Sequence, residues 1–231
     1  MLLVDAGNTR VAFAESDGFA VGPVQAVPTA EFTVPAGAAE IAVASVVPAV
    51  TEKLLCHPGV FVLKNVHAAA AGLSLAEVDA STLGADRLAN AIELVRQNLL
   101  PAVSIDFGTA VNCEIVDKNG SFRGGAIGPG RRMMYRALAG GAALLPDANC
   151  MADLRMEPGT NTVTTIAFGV DQAVLGMVKE WLRRIQDLYG PVRIVGIGGD
   201  AERYLSLVPG MEYGGKHFTL RGLLHACQQN R

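Results

Sequence analysis

The chain has 231 residues, half of them hydrophobic and 18% charged, with a formal net charge of −3. That length suits two domains of about 100 residues each. The weakly acidic balance gives no general reason to bind nucleic acid or an anionic membrane, and four scattered cysteines without a CxxC pair argue against a disulfide scaffold or a cysteine-rich metal site.

In chain order, Leu2-Leu3-Val4-Asp5-Ala6-Gly7-Asn8-Thr9 is an apolar run closed by Asp-x-Gly and small polar residues, followed by the β-prone Val11-Ala12-Phe13-Ala14. This reads as strand, tight turn, strand. A carboxylate at the end of a buried strand is costly unless a cation or hydrogen-bond donors meet it. The adjoining glycine lets a ligand approach the backbone, and turn N–H groups can cradle a phosphate. Asp, Gly and Asn are also ordinary turn residues, so one copy alone says little.

Residues 16–37, rich in Gly, Pro and Ala, predict a further strand with loops. Residues 41–47 are a continuous apolar run consistent with a buried strand. Pro48 opens a short helix to Leu55, residues 60–63 are another strand candidate, and residues 66–83 read as irregular. Leu83-Gly84-Ala85-Asp86-Arg87 introduces Leu88, Ala91, Ile92 and Val95 at helical spacing, and this helix is expected to reach about Leu99, before Pro101. Asp86 is either a first-turn helix stabiliser or a general base for a hydroxyl attacking a γ-phosphate. Arg87 is either a solvated charge or the holder of an anionic group.

The opening pattern then returns. Val103-Ser104-Ile105-Asp106-Phe107-Gly108-Thr109-Ala110 repeats apolar run and Asp-x-Gly, and residues 111–116 supply the second arm. Two copies in two matching hairpins imply a duplicated domain. Facing each other across a cleft, the two turns would make a nucleotide site.

Gly124-Gly125-Ala126-Ile127-Gly128-Pro129-Gly130 reads as a glycine-dense loop. Residues 131–145 read as helical, with Met133, Met134, Ala137 and Leu138 in the core and Arg131, Arg132 and Arg136 on a solvated face. Residues 161–188 read as a helix interrupted near Gly169, and residues 192–197 as a strand. Gly198-Gly199-Asp200 then leads into a helix through Leu205, either as a plain turn or as an anion-binding helix start. Residues 218–228 form a last helix. The expected fold is α/β, two duplicated ribonuclease-H-like (actin-like ATPase) domains with a cleft between them, residues 1–101 and 102–231.

Cys56, Cys113, Cys150 and Cys227 are expected as buried reduced thiols. His57, His67, His217 and His225 lack metal-ligand spacing. With no basic leader and Asp5 inside the first apolar stretch, no signal peptide is expected. The longest apolar runs, such as residues 41–50, are too short to span a bilayer. A soluble cytoplasmic protein follows from this reading.

Taken together, Asp5-Ala6-Gly7-Asn8-Thr9, Ser45-Val46-Val47-Pro48, Gly84-Ala85-Asp86-Arg87, Asp106-Phe107-Gly108-Thr109-Ala110 and the Gly124 to Gly130 block resemble type III pantothenate kinase. Asn161-Thr162, Gly198-Gly199-Asp200-Ala201 and Leu220-Arg221-Gly222-Leu223 extend the resemblance over nearly the whole chain. The resemblance implies ATP-dependent phosphorylation of pantothenate at its 4′-hydroxyl, the first step of coenzyme A synthesis. It implies that Asp5, Ala6, Gly7, Asn8 and Thr9 line the ATP phosphates, with Asp5 placing Mg²⁺. Asp86 becomes the proton acceptor, and Gly84, Ala85, Asp86, Arg87 and Thr162 contact pantothenate. Asp106 helps bind an activating monovalent cation, K⁺ or NH₄⁺, while Thr109, Gly198 and Gly199 stand on the ATP side. It further implies a homodimer.

The chain departs from the usual family pattern at Ala12, Asn112 and Ile197, and residues 77–83 lack the family's common Tyr and Pro. These departures motivate two alternatives: a weak or inactive nucleotide-binding regulator of the same fold, and a kinase for another small alcohol.

Overall fold

The computed structural model describes residues 1–98, 100–146 and 153–231. Leu99, the expected end of the Gly84 helix, and Cys150 lie outside the described residues.

Among the described residues, ten strands fall into two five-stranded sheets. The first contains β1 (Leu2–Ala6), β2 (Arg10–Glu15), β3 (Gln25–Pro28), β4 (Ile41–Ser45) and β5 (Val60–Val62), in the order β3-β2-β1-β4-β5. The second contains β6 (Ala102–Phe107), β7 (Ala110–Val116), β8 (Phe122–Pro129), β9 (Arg193–Ile197) and β10 (Met211–Tyr213), in the order β10-β9-β6-β7-β8. Adding five to each strand number of the first order and reversing it gives the second. The repeated Asp-x-Gly hairpin is thus the visible part of a repeated sheet, as a duplicated ribonuclease-H-like α/β chain requires.

In the first sheet β1 runs antiparallel to β2, with Val4 opposite Phe13 and Asp5 opposite Ala12. It runs parallel to β4, with Asp5 beside Ala44. Strands buried on both faces read as continuous apolar runs, which is why Leu2, Leu3 and Val4 and the run Ile41, Ala42, Val43 and Ala44 are all buried.

Among the described residues, six α-helices accompany the sheets: α1 (Pro48–Leu55), α2 (Ala85–Arg96), α3 (Arg131–Gly141), α4 (Thr162–Tyr189), α5 (Ala201–Tyr204) and α6 (Phe218–Gln229). Among the described residues none is long and apolar enough to cross a membrane.

The chain divides into two compact units. One comprises Met1–Ser104, Glu114–Gly124 and Gly214–Arg231; the other comprises Ile105–Cys113 and Gly125–Tyr213. In the first unit α6 lies on α2: the Thr219 hydroxyl donates to Asn90 Oδ1 at 2.8 Å and Arg221 Nε to Glu93 Oε1 at 2.7 Å. Glu93 is fully buried and also receives Arg96, so its charge is met from two sides.

Several expectations need correction. The Gly124 to Gly130 stretch is mostly strand, not loop: β8 runs to Pro129 at the sheet edge, where proline and glycine are tolerated because one side of the ladder is unpaired. A side chain at Gly128 would meet Trp181 at 3.2 Å, so that glycine is a packing contact. The helix containing Gly169 is uninterrupted over 28 residues; a lone exposed glycine costs about 1 kcal/mol in a helix without breaking it. Arg131 is buried rather than solvated, paired with Asp171, while Met133 and Leu138 are exposed and Tyr135 is the buried apolar residue of α3. Cys113 and Cys227 are buried, but Cys56 is exposed. Strand β10, only three residues long, has no counterpart in the sequence reading.

Candidate active site

In the first unit the expected site residues gather at the carboxyl ends of the neighbouring parallel strands β1 and β4, where open α/β sheets bind their ligands. Asp5 is the penultimate residue of β1 and half-buried, and Asn8 and Thr9 are exposed in the turn that follows. Thr29 holds that turn from both ends: its hydroxyl donates to the Gly7 carbonyl at 2.7 Å and its N–H to the Thr9 carbonyl at 3.1 Å. Sequence reasoning missed Thr29, since strand β2 and a Gly-, Pro- and Ala-rich stretch separate it from the turn it fixes.

Beside that turn, Val46 N–H donates to the Ala6 carbonyl at 3.0 Å, carrying the β1–β4 ladder one residue past β4. Ser45 Oγ accepts from Val47 N–H at 3.0 Å, turning the chain into Pro48 at the start of α1. Gly84 caps α2 against Val46: a Cβ at Gly84 would stand 2.6 Å from Asp86 Oδ1 and 3.3 Å from Val46 Cγ1. The glycine is therefore what lets the Asp86 carboxylate fold back over the first turn, where Oδ1 accepts Arg87 N–H at 2.8 Å. The structure thus brings Asp5, Ala6, Gly7, Gly84, Ala85 and Asp86 to one end of the first sheet, while Arg87, in the same helix turn, sends its side chain to strands β7 and β8.

Arg87 carries more than the sequence disclosed. Its Nε donates to Glu114 Oε1 at 3.0 Å, and its guanidinium lies over the Phe122 ring at 5.9 Å from the centroid. Glu114 is fully buried, and its other oxygen accepts the Ser104 hydroxyl at 2.8 Å. The only local signal for this cluster was a glutamate inside the mainly apolar second arm of a hairpin.

In the second unit Asp106 is again penultimate in its strand and half-buried. Gly198, at φ +88°, passes against it; a Cβ there would collide with Asp106 Oδ1 and stand 2.8 Å from the Phe107 backbone. Asp200 N–H donates to the Phe107 carbonyl and Gly130 N–H to the Thr109 carbonyl, both at 3.1 Å. Asp106, Gly108, Thr109, Gly130 and Gly198 therefore form one compact turn cluster, with open space above Gly199. The helix that follows, α5, has only four residues, so its dipole adds little. Ile197 is buried in the sheet.

Thr162 is the first residue of α4, behind the N-cap Asn161, whose side chain accepts Thr164 N–H at 3.0 Å. It lines a cavity of about 930 Å³ in the second unit that is mainly apolar, walled by Met134, Leu138 and Ile166.

Among the described residues no three His, Cys, Asp or Glu side chains converge on a point where a metal could sit. A nucleotide-borne Mg²⁺ takes one or two carboxylates, with phosphates and water completing its shell. The single half-buried carboxylate of Asp5, beside exposed polar turn residues, is a donor set that fits that demand.

A family profile described as type III pantothenate kinase matches residues 1–184. A type III pantothenate kinase of Rhodospirillum rubrum is 31% identical over 261 aligned positions, spanning 100% of this chain and 99% of the relative. One of Akkermansia muciniphila is 34% identical over 244 positions, spanning 99% and 98%. Among solved structures, a Baf family protein of Campylobacter jejuni superimposes with a TM-score of 0.70 at 19% identity, covering 100% of this chain and 98% of the other. At that identity the likeness speaks for the fold.

Proposed function

The chain belongs to the type III pantothenate kinase family, and we infer from that premise that it transfers the γ-phosphoryl group of ATP to the 4′-hydroxyl of pantothenate, the first step of coenzyme A synthesis. The observation that carries this reading is the assembly of Asp5, Gly84 and Asp86 at one sheet end, with Arg87 next to Asp86 in the first turn of α2, because a phosphoryl-transfer site consists of groups that align an alcohol and neutralise charge. Asp86 accepts the proton of the 4′-hydroxyl as its oxygen bonds to the γ-phosphorus. The bond from that phosphorus to the bridging oxygen breaks, and ADP leaves. Arg87 holds the acidic substrate through charge-assisted hydrogen bonds.

Ala6, Gly7, Asn8 and Thr9 offer backbone and side-chain donors to the phosphates, and Thr109, Gly198 and Gly199 contact the nucleotide. Asp5 holds Mg²⁺, which offsets triphosphate charge; Asp106 holds a monovalent cation, K⁺ or NH₄⁺. Thr162 contributes to the pantothenate pocket. Residues 1–101 and 102–231 act as the two halves of the duplication, a division supported by β1 to β5 lying in the first and β6 to β10 in the second. The enzyme works in the cytoplasm.

The test is ADP release by purified protein supplied with ATP, Mg²⁺, KCl or NH₄Cl, and pantothenate. Turnover dependent on pantothenate is expected, and replacing K⁺ by a bulky organic cation should reduce it. Absence of turnover with pantothenate overturns the reading, whether or not another alcohol is phosphorylated.

The protein is further proposed to be a homodimer joined through α3 and α4. The exposed Leu138 and Met133, and the apolar cavity containing Leu138, favour a second copy as the covering surface. Light scattering should give about twice the 24.1 kDa chain mass, and Leu138→Glu should yield monomers. A monomeric wild-type protein would refute this arrangement.

A further inference from the structure

We infer that Glu114 is a positioning residue that fixes the Arg87 guanidinium for the acidic substrate; the inference rests on the reading of Arg87 as a pantothenate ligand. The two hairpins of the duplication supply an internal control. Two residues before the aspartate of the first hairpin stands Leu3, opposite Ala14, and both are buried. Two residues before the aspartate of the second stands Ser104, hydrogen-bonded at 2.8 Å to Glu114, and both are fully buried. An apolar pair therefore suffices to build this part of the hairpin. A buried carboxylate in its place brings a desolvation penalty and is weak ground for stability, so its presence calls for another role.

Arg87 explains that role. It lies in the first turn of α2, where the helix dipole disfavours a cation. A long flexible guanidinium at such a place needs something to hold it. Glu114 takes its Nε, Phe122 lies beneath its face, and Ser104 holds the second carboxylate oxygen so that Glu114 keeps one rotamer. Three contacts thus set the plane and direction of the fork before substrate arrives. Preorganisation of this kind lowers the ordering cost of binding an anion. It should appear in the KM for pantothenate rather than in the handling of ATP.

The test uses the full chain. Ser104→Ala combined with Glu114→Leu installs an apolar pair of the kind the first hairpin already uses. KM for pantothenate should rise about tenfold in this variant, with KM for ATP changed less than about twofold. Glu114→Gln, which keeps the volume and an acceptor for Nε, should show a smaller rise. In an Arg87→Ala background neither change should raise KM further, because residues acting through one another are not additive. Equal shifts in both KM values, additive effects with Arg87→Ala, or an unchanged KM for pantothenate in an active enzyme would each overturn the inference. A wild-type protein that does not turn over pantothenate is a different result: it defeats the functional reading, and this inference with it.

Discussion

Replacing Asp86 with asparagine is expected to lower kcat for pantothenate phosphorylation by about 10²–10⁴-fold, the range over which a positioned general base acts. The substitution is a clean probe because of the local geometry. Asp86 Oδ1 accepts the N–H of Arg87 at 2.8 Å, and an asparagine carbonyl can accept the same bond. The side chain also sits in the space left by the missing Cβ of Gly84, which an amide of equal size still fits. The first turn of α2 should therefore survive, and thermal stabilisation by ATP should match the wild type. What disappears is the capacity to take a proton from the attacking hydroxyl. Steady-state ADP release gives the rate, and a melting shift with ATP reports the fold. An asparagine variant keeping more than a tenth of wild-type kcat would show that the proton goes elsewhere.

The largest stability loss is expected at Asp171. Arg131 and Asp171 are both about 98% buried or more, with Arg131 Nε 2.6 Å from Asp171 Oδ1. The second carboxylate oxygen accepts the backbone N–H of Arg155 at 2.6 Å. One side chain of α4 thus fixes the first residue of α3 and the irregular segment leading into α4. Asp171→Ala leaves a guanidinium buried without its counter-charge and a backbone donor without its acceptor. Breaking a buried pair from one side costs about 3–5 kcal/mol. For a chain of this size that lowers Tm by roughly 6–20 °C. Arg131→Met together with Asp171→Leu removes both charges and should recover much of the loss, since a well-packed apolar pair can equal a buried ion pair. Thermal or urea unfolding of the wild type and the two variants would decide the matter; a single mutant as stable as the double would show that the charges are not coupled.

The two cases also mark what could be read from sequence. Asp86 was legible because its neighbours are contiguous: Gly84, Asp86 and Arg87 share one helix start, and the apolar spacing beyond them identifies that helix. The hairpins were legible for the same reason, since a short apolar run closed by Asp-x-Gly and followed by a second β-prone run is a local signal. Arg131 was misread because its partner lies forty residues away, and three arginines within six residues look like a wetted face. Glu114 and Ser104 passed unnoticed because a polar residue inside a strand does not announce whether a cation meets it. Strand β8 was mistaken for a loop because glycine density argues against a strand, whereas the contact of Gly128 with Trp181 that favours it is tertiary. The short strand β10 carries too few residues for any periodicity. Local chemistry was readable; side-chain pairings across long sequence separations were not.

The composition of the first unit from three separate stretches has a consequence for biogenesis. Residues 214–231, which bring α6 onto α2, are synthesised only after the whole of residues 125–213. As α2 leaves the ribosome, Glu93 lacks Arg221 and the helix face around Asn90 has nothing to cover it. A nascent chain usually completes its leading unit first; here the leading unit must wait, half-assembled, for the trailing one to be translated.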